Sequence, residues 1–154
     1  MRRFAFLWCA AALVGCAKSE EQPAKEAEES AATPAETRAI SLSDVAGQWK
    51  MHSTDEAGGN PVESELTATA DTSGWTMTLP GRKPVPVRVV AVAGDSIVTE
   101  AGPYESVLRK GVQVSSRTVT RLQDGKLVGR LQLRYATKAG DSIAYRLTEG
   151  TRAP

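Results

Sequence analysis

The chain has 154 residues, 41% apolar, 24% charged and only 5% aromatic, with a formal net charge of +1. That near-neutral balance, with no basic stripe, excludes a nucleic-acid binder. Both cysteines, Cys9 and Cys16, lie close to the start, so the remainder has no thiol or disulfide and must rest on its apolar core.

Taken in order, Arg2 and Arg3 precede an apolar run over residues 4–12 that is far too short to span a bilayer as a mature helix and reads as an export signal. It ends in Leu13-Val14-Gly15-Cys16, which resembles the lipobox of bacterial lipoproteins: an aliphatic residue, two small or aliphatic residues, then the cysteine. The resemblance implies that residues 1–15 are a lipoprotein signal peptide. It also implies that Cys16 becomes the new N-terminus with thioether- and amide-linked acyl chains such as palmitate. At about 0.8 kcal/mol per buried methylene, more than one chain makes release negligible, so membrane lipid is the first expected partner. Ala17, in place of Asp, favours the outer membrane under the Gram-negative sorting rule. An ordinary signal ending at Ala10-Ala11-Ala12 is the competing reading.

Residues 16–40 comprise the lipidated cysteine and an Ala/Glu/Pro-rich segment. From 17 to 40 three basic residues face six glutamates, a net of −3, and no large apolar residue occurs before Ile40. Such a stretch buries too little surface to offset its ordering entropy, which predicts a disordered tether with a reach of roughly 25–30 Å.

Residues 41–154 form the predicted domain, with fourteen basic and twelve acidic residues. Ser41–Val45 suits one helical turn with Leu42 and Val45 as a plug. From Gly47 onward the pattern is period-two alternation broken by Gly, Pro, Asn and Asp, which predicts an all-β antiparallel up-and-down meander. Eight strands are expected: Gln48–Thr54, Glu63–Ala70, Gly74–Leu79, Pro86–Val92, Ser96–Thr99, Tyr104–Lys110 running on into Gln113–Leu122, Lys126–Ala136 and Ser142–Leu147. In this scheme Gly102-Pro103 separates two strands and Gly111 is a bulge.

Turn chemistry sets which side chains share a face. Asp124-Gly125 is a two-residue hairpin loop that places Leu122 opposite Leu127, Thr120 opposite Gly129, Thr118 opposite Leu131, Ser116 opposite Leu133 and Val114 opposite Tyr135. The opposite face holds Arg117, Val119, Arg121, Val128, Arg130 and Gln132 and suits solvent. A three-residue Ala139-Gly140-Asp141 loop sets Tyr135 opposite Tyr145 and Leu133 opposite Leu147. The same letters at Ala93-Gly94-Asp95-Ser96-Ile97 predict the same turn used twice, with Val87, Val89, Ala91, Ile97 and Thr99 inward and Arg88 paired with Glu100 outside. Trp49, Met51, Leu66, Ala68, Ala70, Trp75, Met77 and Leu79 complete the inner face.

A meander with one face this apolar most simply closes into a barrel. Val45-Ala46-Gly47-Gln48-Trp49-Lys50 resembles the Gly-x-Trp start of lipocalins, fatty-acid-binding proteins and their calycin relatives, which implies a single eight-stranded calycin-like barrel with the tryptophan closing one end. In several of those families an arginine of the last strand packs over it. Arg146 and Arg152 are the candidates, although the parity above turns Arg146 outward.

Ligand sites of small barrels are interior. The expected lining is Trp49, Trp75, Ser116, Thr118, Thr120, Tyr135 and Tyr145, with small hydroxyls opposite leucines leaving room for a small apolar or amphipathic molecule. Nothing points to an enzyme: His52 is the sole histidine, no serine sits in a nucleophile turn, and neither a metal site nor a cofactor is implied. The alternative is a non-enzymatic structural or interaction module with a filled core. It would meet an envelope protein partner through Arg82–Pro86 or Pro103–Ser106.

Overall fold

The computed structural model describes residues 39–154. The signal at 1–15, Cys16 and nearly all of the tether lie outside the described residues. A short helix, α1 (Leu42–Val45), precedes eight strands: β1 (Gly47–Asp55), β2 (Val62–Ala68), β3 (Thr76–Thr78), β4 (Val85–Ala93), β5 (Ser96–Glu105), β6 (Gln113–Gln123), β7 (Lys126–Thr137) and β8 (Gly140–Arg152). Each pairs antiparallel with its neighbour in sequence, and β8 pairs with β1, closing an all-β, eight-stranded calycin-like barrel. Most charged residues face out and most large apolar ones in, with the buried Arg146 and the exposed Ile143, Tyr145 and Leu147 of β8 as exceptions.

The α1 turn plugs one end, as its apolar spacing predicts. The Asp44 carboxylate accepts the Ser41 N–H at 2.9 Å, and Val45 is fully buried. Trp49 lies beneath it, equally buried, its indole N–H donating to the Val45 carbonyl at 2.8 Å. Trp75 is likewise satisfied by the Asp71 carbonyl at 2.8 Å, so both indoles enter the core without leaving a donor unpaired. The Arg152 guanidinium covers Trp49 at 4.5 Å from the ring centroid and donates to the Ala46 and Asp44 carbonyls at 2.7 and 2.6 Å. Of the two candidate arginines, Arg152 is the one that packs there.

The Asp124-Gly125 hairpin has positive φ at both loop residues, and all five expected pairs from Leu122↔Leu127 to Val114↔Tyr135 form. Here β6 and β7 approach so closely at Gly129 that a methyl group would strike the Val119 carbonyl. Glycine is required there by space rather than by φ.

Three expectations are corrected. The loop between β7 and β8 is Lys138-Ala139, with Thr137 paired to Gly140, so Tyr135 faces Ser142, Leu133 faces Ala144 and Leu131 faces Arg146. Tyr145 therefore points outward, 45% exposed, and Arg146 inward, 4% exposed. The reason is the length of β8, which runs on to Arg152. The expected parity would place the Glu149 carboxylate against Met51 and Leu127, whereas the observed one places Gly150 there, where any side chain would collide with Met51.

The two Ala-Gly-Asp-Ser-Ile segments also turn differently. The first uses Gly94-Asp95 as a two-residue loop, and a register shift between Val89 and Ala91 then restores the expected Val89↔Thr99 and Arg88↔Glu100 pairs while leaving Ala91 outside. In the second, Gly140 and Asp141 belong to β8.

Finally, Gly102-Pro103 does not divide two strands. It makes a bulge inside β5, and the chain turns instead at 106–112, where the Ser106 hydroxyl accepts the Leu108 and Arg109 N–H groups at 3.1 and 3.0 Å. Gly111, expected as a bulge, lies in this turn with φ +75°. A serine-capped turn competes successfully with strand continuation because it satisfies backbone donors locally.

Candidate functional site

The candidate site is the barrel interior above the Trp49 plug. Trp49, Met51, Trp75, Val87, Ile97 and Leu127 pack the plugged half. A smaller cluster of Val114, Leu133 and Tyr135 fills the other end. Between them run two small cavities of about 70 and 50 Å³ that share Ser53, Ser64, Met77, Tyr104 and Leu131 as lining. The larger is walled also by Trp75, Thr99, Ser116, Thr118, Thr120 and Thr148, and the smaller by Leu79, Val114, Tyr135 and Arg146.

Of the side chains expected inside, Trp75, Ser116, Thr118, Thr120 and Tyr135 reach these cavities and Trp49 lies in the packed plug. Tyr145 does not. It stands on the outer wall with the Arg130 guanidinium 4.8 Å from its ring centroid.

Ser53, Ser64 and Thr148 line the cavities without having been singled out, and two larger interior residues also escaped the sequence reading. Tyr104, expected at a surface tip, follows the Gly102-Pro103 bulge back into the barrel and lines both cavities. Burial pushes its phenol above the ordinary tyrosine range, with its hydrogen bond to Ser116 pulling the other way, so it stays protonated. Arg146 is the second. Its Nη2 donates to the Ser53 carbonyl at 2.8 Å and to the Asn60 carbonyl, while its Nε has no hydrogen-bond partner. The signal for it was the run to Arg152, whose parity Arg146 shares.

The open end is roofed by the 106–112 turn. Arg109 stacks 4.0 Å from the Tyr135 ring centroid and donates to the Ser142 hydroxyl at 3.0 Å. Arg82 donates to the Glu105 carbonyl at 2.7 Å and to the Ser106 carbonyl at 3.4 Å. The two loop stretches singled out from the sequence, around Arg82 and Pro103–Ser106, thus meet at one rim.

His52 lies outside on β1, half exposed, with its Nδ1 2.5 Å from a Glu63 carboxylate oxygen. Among the described residues no group of three or more His, Cys, Asp or Glu side chains is arranged to hold a metal ion, and no helix is long and apolar enough to cross a membrane. No family model, no curated protein and no solved structure matches the chain.

Proposed function

We propose that the chain is a non-enzymatic lipoprotein, exported and held by acyl chains on Cys16, with a disordered tether at 16–40 and a barrel at 41–154 that binds a small apolar or amphipathic molecule. The outer membrane is the proposed site of anchoring. The observation that carries the binding reading is Arg146: a buried cation beside a cavity, with a donor that no protein atom satisfies. A buried unpaired donor costs about 1–3 kcal/mol, and a carboxylate, phosphate or carbonyl oxygen on a ligand would supply its acceptor. The Ser53 and Ser64 hydroxyls stand on the same lining, and Met77, Leu131 and Tyr104 offer an apolar bed beyond them.

Size narrows the ligand. A cavity of about 150 Å³ holds a benzene-sized guest, and the two lobes are smaller than that. A short chain or single ring fits if Met77, whose unbranched side chain adapts readily, moves to join them. The small free volume favours the second reading, a filled barrel that serves as an interaction module for an envelope protein. Native mass spectrometry of the purified mature chain, with solvent extraction and a titration of short and medium-chain carboxylic acids followed by Trp75 fluorescence, separates the two. A stoichiometric amphiphile or a saturable fluorescence change supports binding. Absence of both withdraws it in favour of the interaction module.

A further inference from the structure

β8 wears its apolar side outward. Its inward row is Ser142, Ala144, Arg146, Thr148 and Gly150, while Ile143, Tyr145 and Leu147 face out, exposed by 51, 45 and 51%. Consecutive large apolar side chains on the solvent face of a strand invert the usual alternation and mark an interaction surface. The register sets Arg134, Gln132 and Arg130 beside them on β7. One strand further, Arg117 and the exposed Val119 extend the same wall. Between Asp141 and Glu149, which end the β8 row and the second of which is paired with Lys126 at 2.8 Å, the three rows hold no carboxylate. The acidic partners stand at the border: Glu100 2.6 Å from Arg117, Asp141 3.9 Å from Arg134, and Glu56 with Arg130. Exposed pairs of this kind hold weakly and exchange readily for another anion. Beside the block runs a groove of about 700 Å³ walled by Arg88, Arg117 and Arg134, with Glu100 between the first two.

We propose that this wall rests on an anionic lipid surface, with Ile143, Tyr145 and Leu147 entering between headgroups and Arg117, Arg130 and Arg134 taking their phosphates. Aliphatic side chains and an aromatic ring flanked by arginines match the boundary between headgroups and acyl chains. A second copy of the chain fits less well, because a two-fold contact through the Tyr145 row would bring the arginine rows of both copies together. The inference concerns the outer wall and stands apart from the interior ligand.

The test uses the mature chain from residue 16 with Cys16→Ser, so that neither signal nor acyl chain anchors it, and an environment-sensitive fluorophore on Gln132→Cys, at the centre of the block. The comparison is the same label on Glu65→Cys, exposed on β2. With vesicles of phosphatidylcholine and phosphatidylglycerol, a blue shift at 132 and none at 65 is expected, weakening with salt and with phosphatidylcholine alone. At about fivefold per arginine, the combined Arg117→Gln, Arg130→Gln and Arg134→Gln changes should weaken partitioning about a hundredfold. An unchanged Trp emission spectrum certifies that this variant is folded. Equal responses at 132 and 65, no response at either, or indifference to the arginines overturns the proposal. So does a shift at 132 that grows with protein concentration without vesicles, which would assign the wall to a second copy.

Discussion

Arg146 of β8 donates on the inside of the barrel to the Ser53 carbonyl of the neighbouring β1 at 2.8 Å, so the strand pair that closes the barrel is also tied from within. The same Nη2 serves the Asn60 carbonyl in the β1–β2 loop. Truncation at this position leaves two carbonyls short of a donor and a hole beside Leu131. We expect Arg146→Ala to cost about 2–4 kcal/mol, read as a lowered urea midpoint. Arg146→Met restores volume but no donor. It should recover part of that stability while losing any preference for carboxylates over neutral analogues, and an unchanged preference would remove Arg146 from the ligand site.

At the plugged end Arg152 both covers the Trp49 ring and donates to two carbonyls of the α1 turn. Arg152→Ala should therefore destabilise by about 1–2 kcal/mol and shift Trp49 emission to the red as water reaches the ring. Arg152→Lys keeps the charge but not the planar fork, and is expected to fall between the two. A lysine variant indistinguishable from the parent in midpoint and emission would show that charge alone matters.

The contrast between β7 and β8 shows where the sequence was legible. Asp124-Gly125 requires two positive φ values and so fixes register, strand count and the inward positions of Ser116, Thr118, Thr120 and Tyr135. Nothing local fixes the next turn. Ile143, Tyr145 and Leu147 look like an inner row, and only Glu149 and Gly150 beyond them reveal that they are not, because a side chain in the packed space at Gly150 would have to displace the Met51 thioether. Tyr104 was hidden for a similar reason: a bulge returns it to the interior, and bulges change parity without a distinctive residue pattern. The block of arginines and apolar residues on the outer wall exists only once β6, β7 and β8 are in register.

Gly129 offers a test of that packing beside Thr120, at the edge of the larger cavity. A side chain there meets the Val119 backbone rather than a movable group, so Gly129→Val should cost about 3 kcal/mol or more despite valine's preference for strands. Gly58, with open space around its Cβ position but φ +84°, should lose only about 1 kcal/mol on change to Ala. Similar losses at both sites, by urea denaturation, would contradict the close approach of β6 and β7.

Acid should loosen the β1–β2 loop before the rest. Asp55 accepts the Gly59 N–H at 2.7 Å, the Asn60 side-chain amide at 2.9 Å and the Ala57 N–H at 3.1 Å. These bonds, the one from Gly59 foremost, hold its carboxyl below the ordinary aspartate value of 3.8, with Arg146 adding a smaller pull. A folded-state value below the unfolded one means that its stabilisation is complete above 3.8 and disappears as pH falls below that through the folded value. Asp71 and Glu100 are lowered in the same direction. Urea midpoints measured from about pH 5 to about pH 2 should drop, and Asp55→Asn should flatten the fall. An equally steep fall in the variant would assign the acid sensitivity elsewhere.

The barrel wall is thinnest at β3. Its three residues make three register pairs with β2 and two with β4, against eleven between β6 and β7. Few ladder bonds and short strands put this seam at the low end of local opening free energies, so its amides should exchange about a hundredfold or more faster than those of β7. The seam also bears on binding, since Met77 of β3 lines both cavities and Val87 of β4 the larger one. A ligand that enters here would have to part β3 from β4 and would afterwards hold them together. Hydrogen exchange with and without a bound carboxylic acid should then show the largest gain in protection at Thr76–Thr78. Protection confined to the 106–112 turn would instead place the route at the roofed end, and β3 amides as slow as those of β7 would show that the wall has no weak seam.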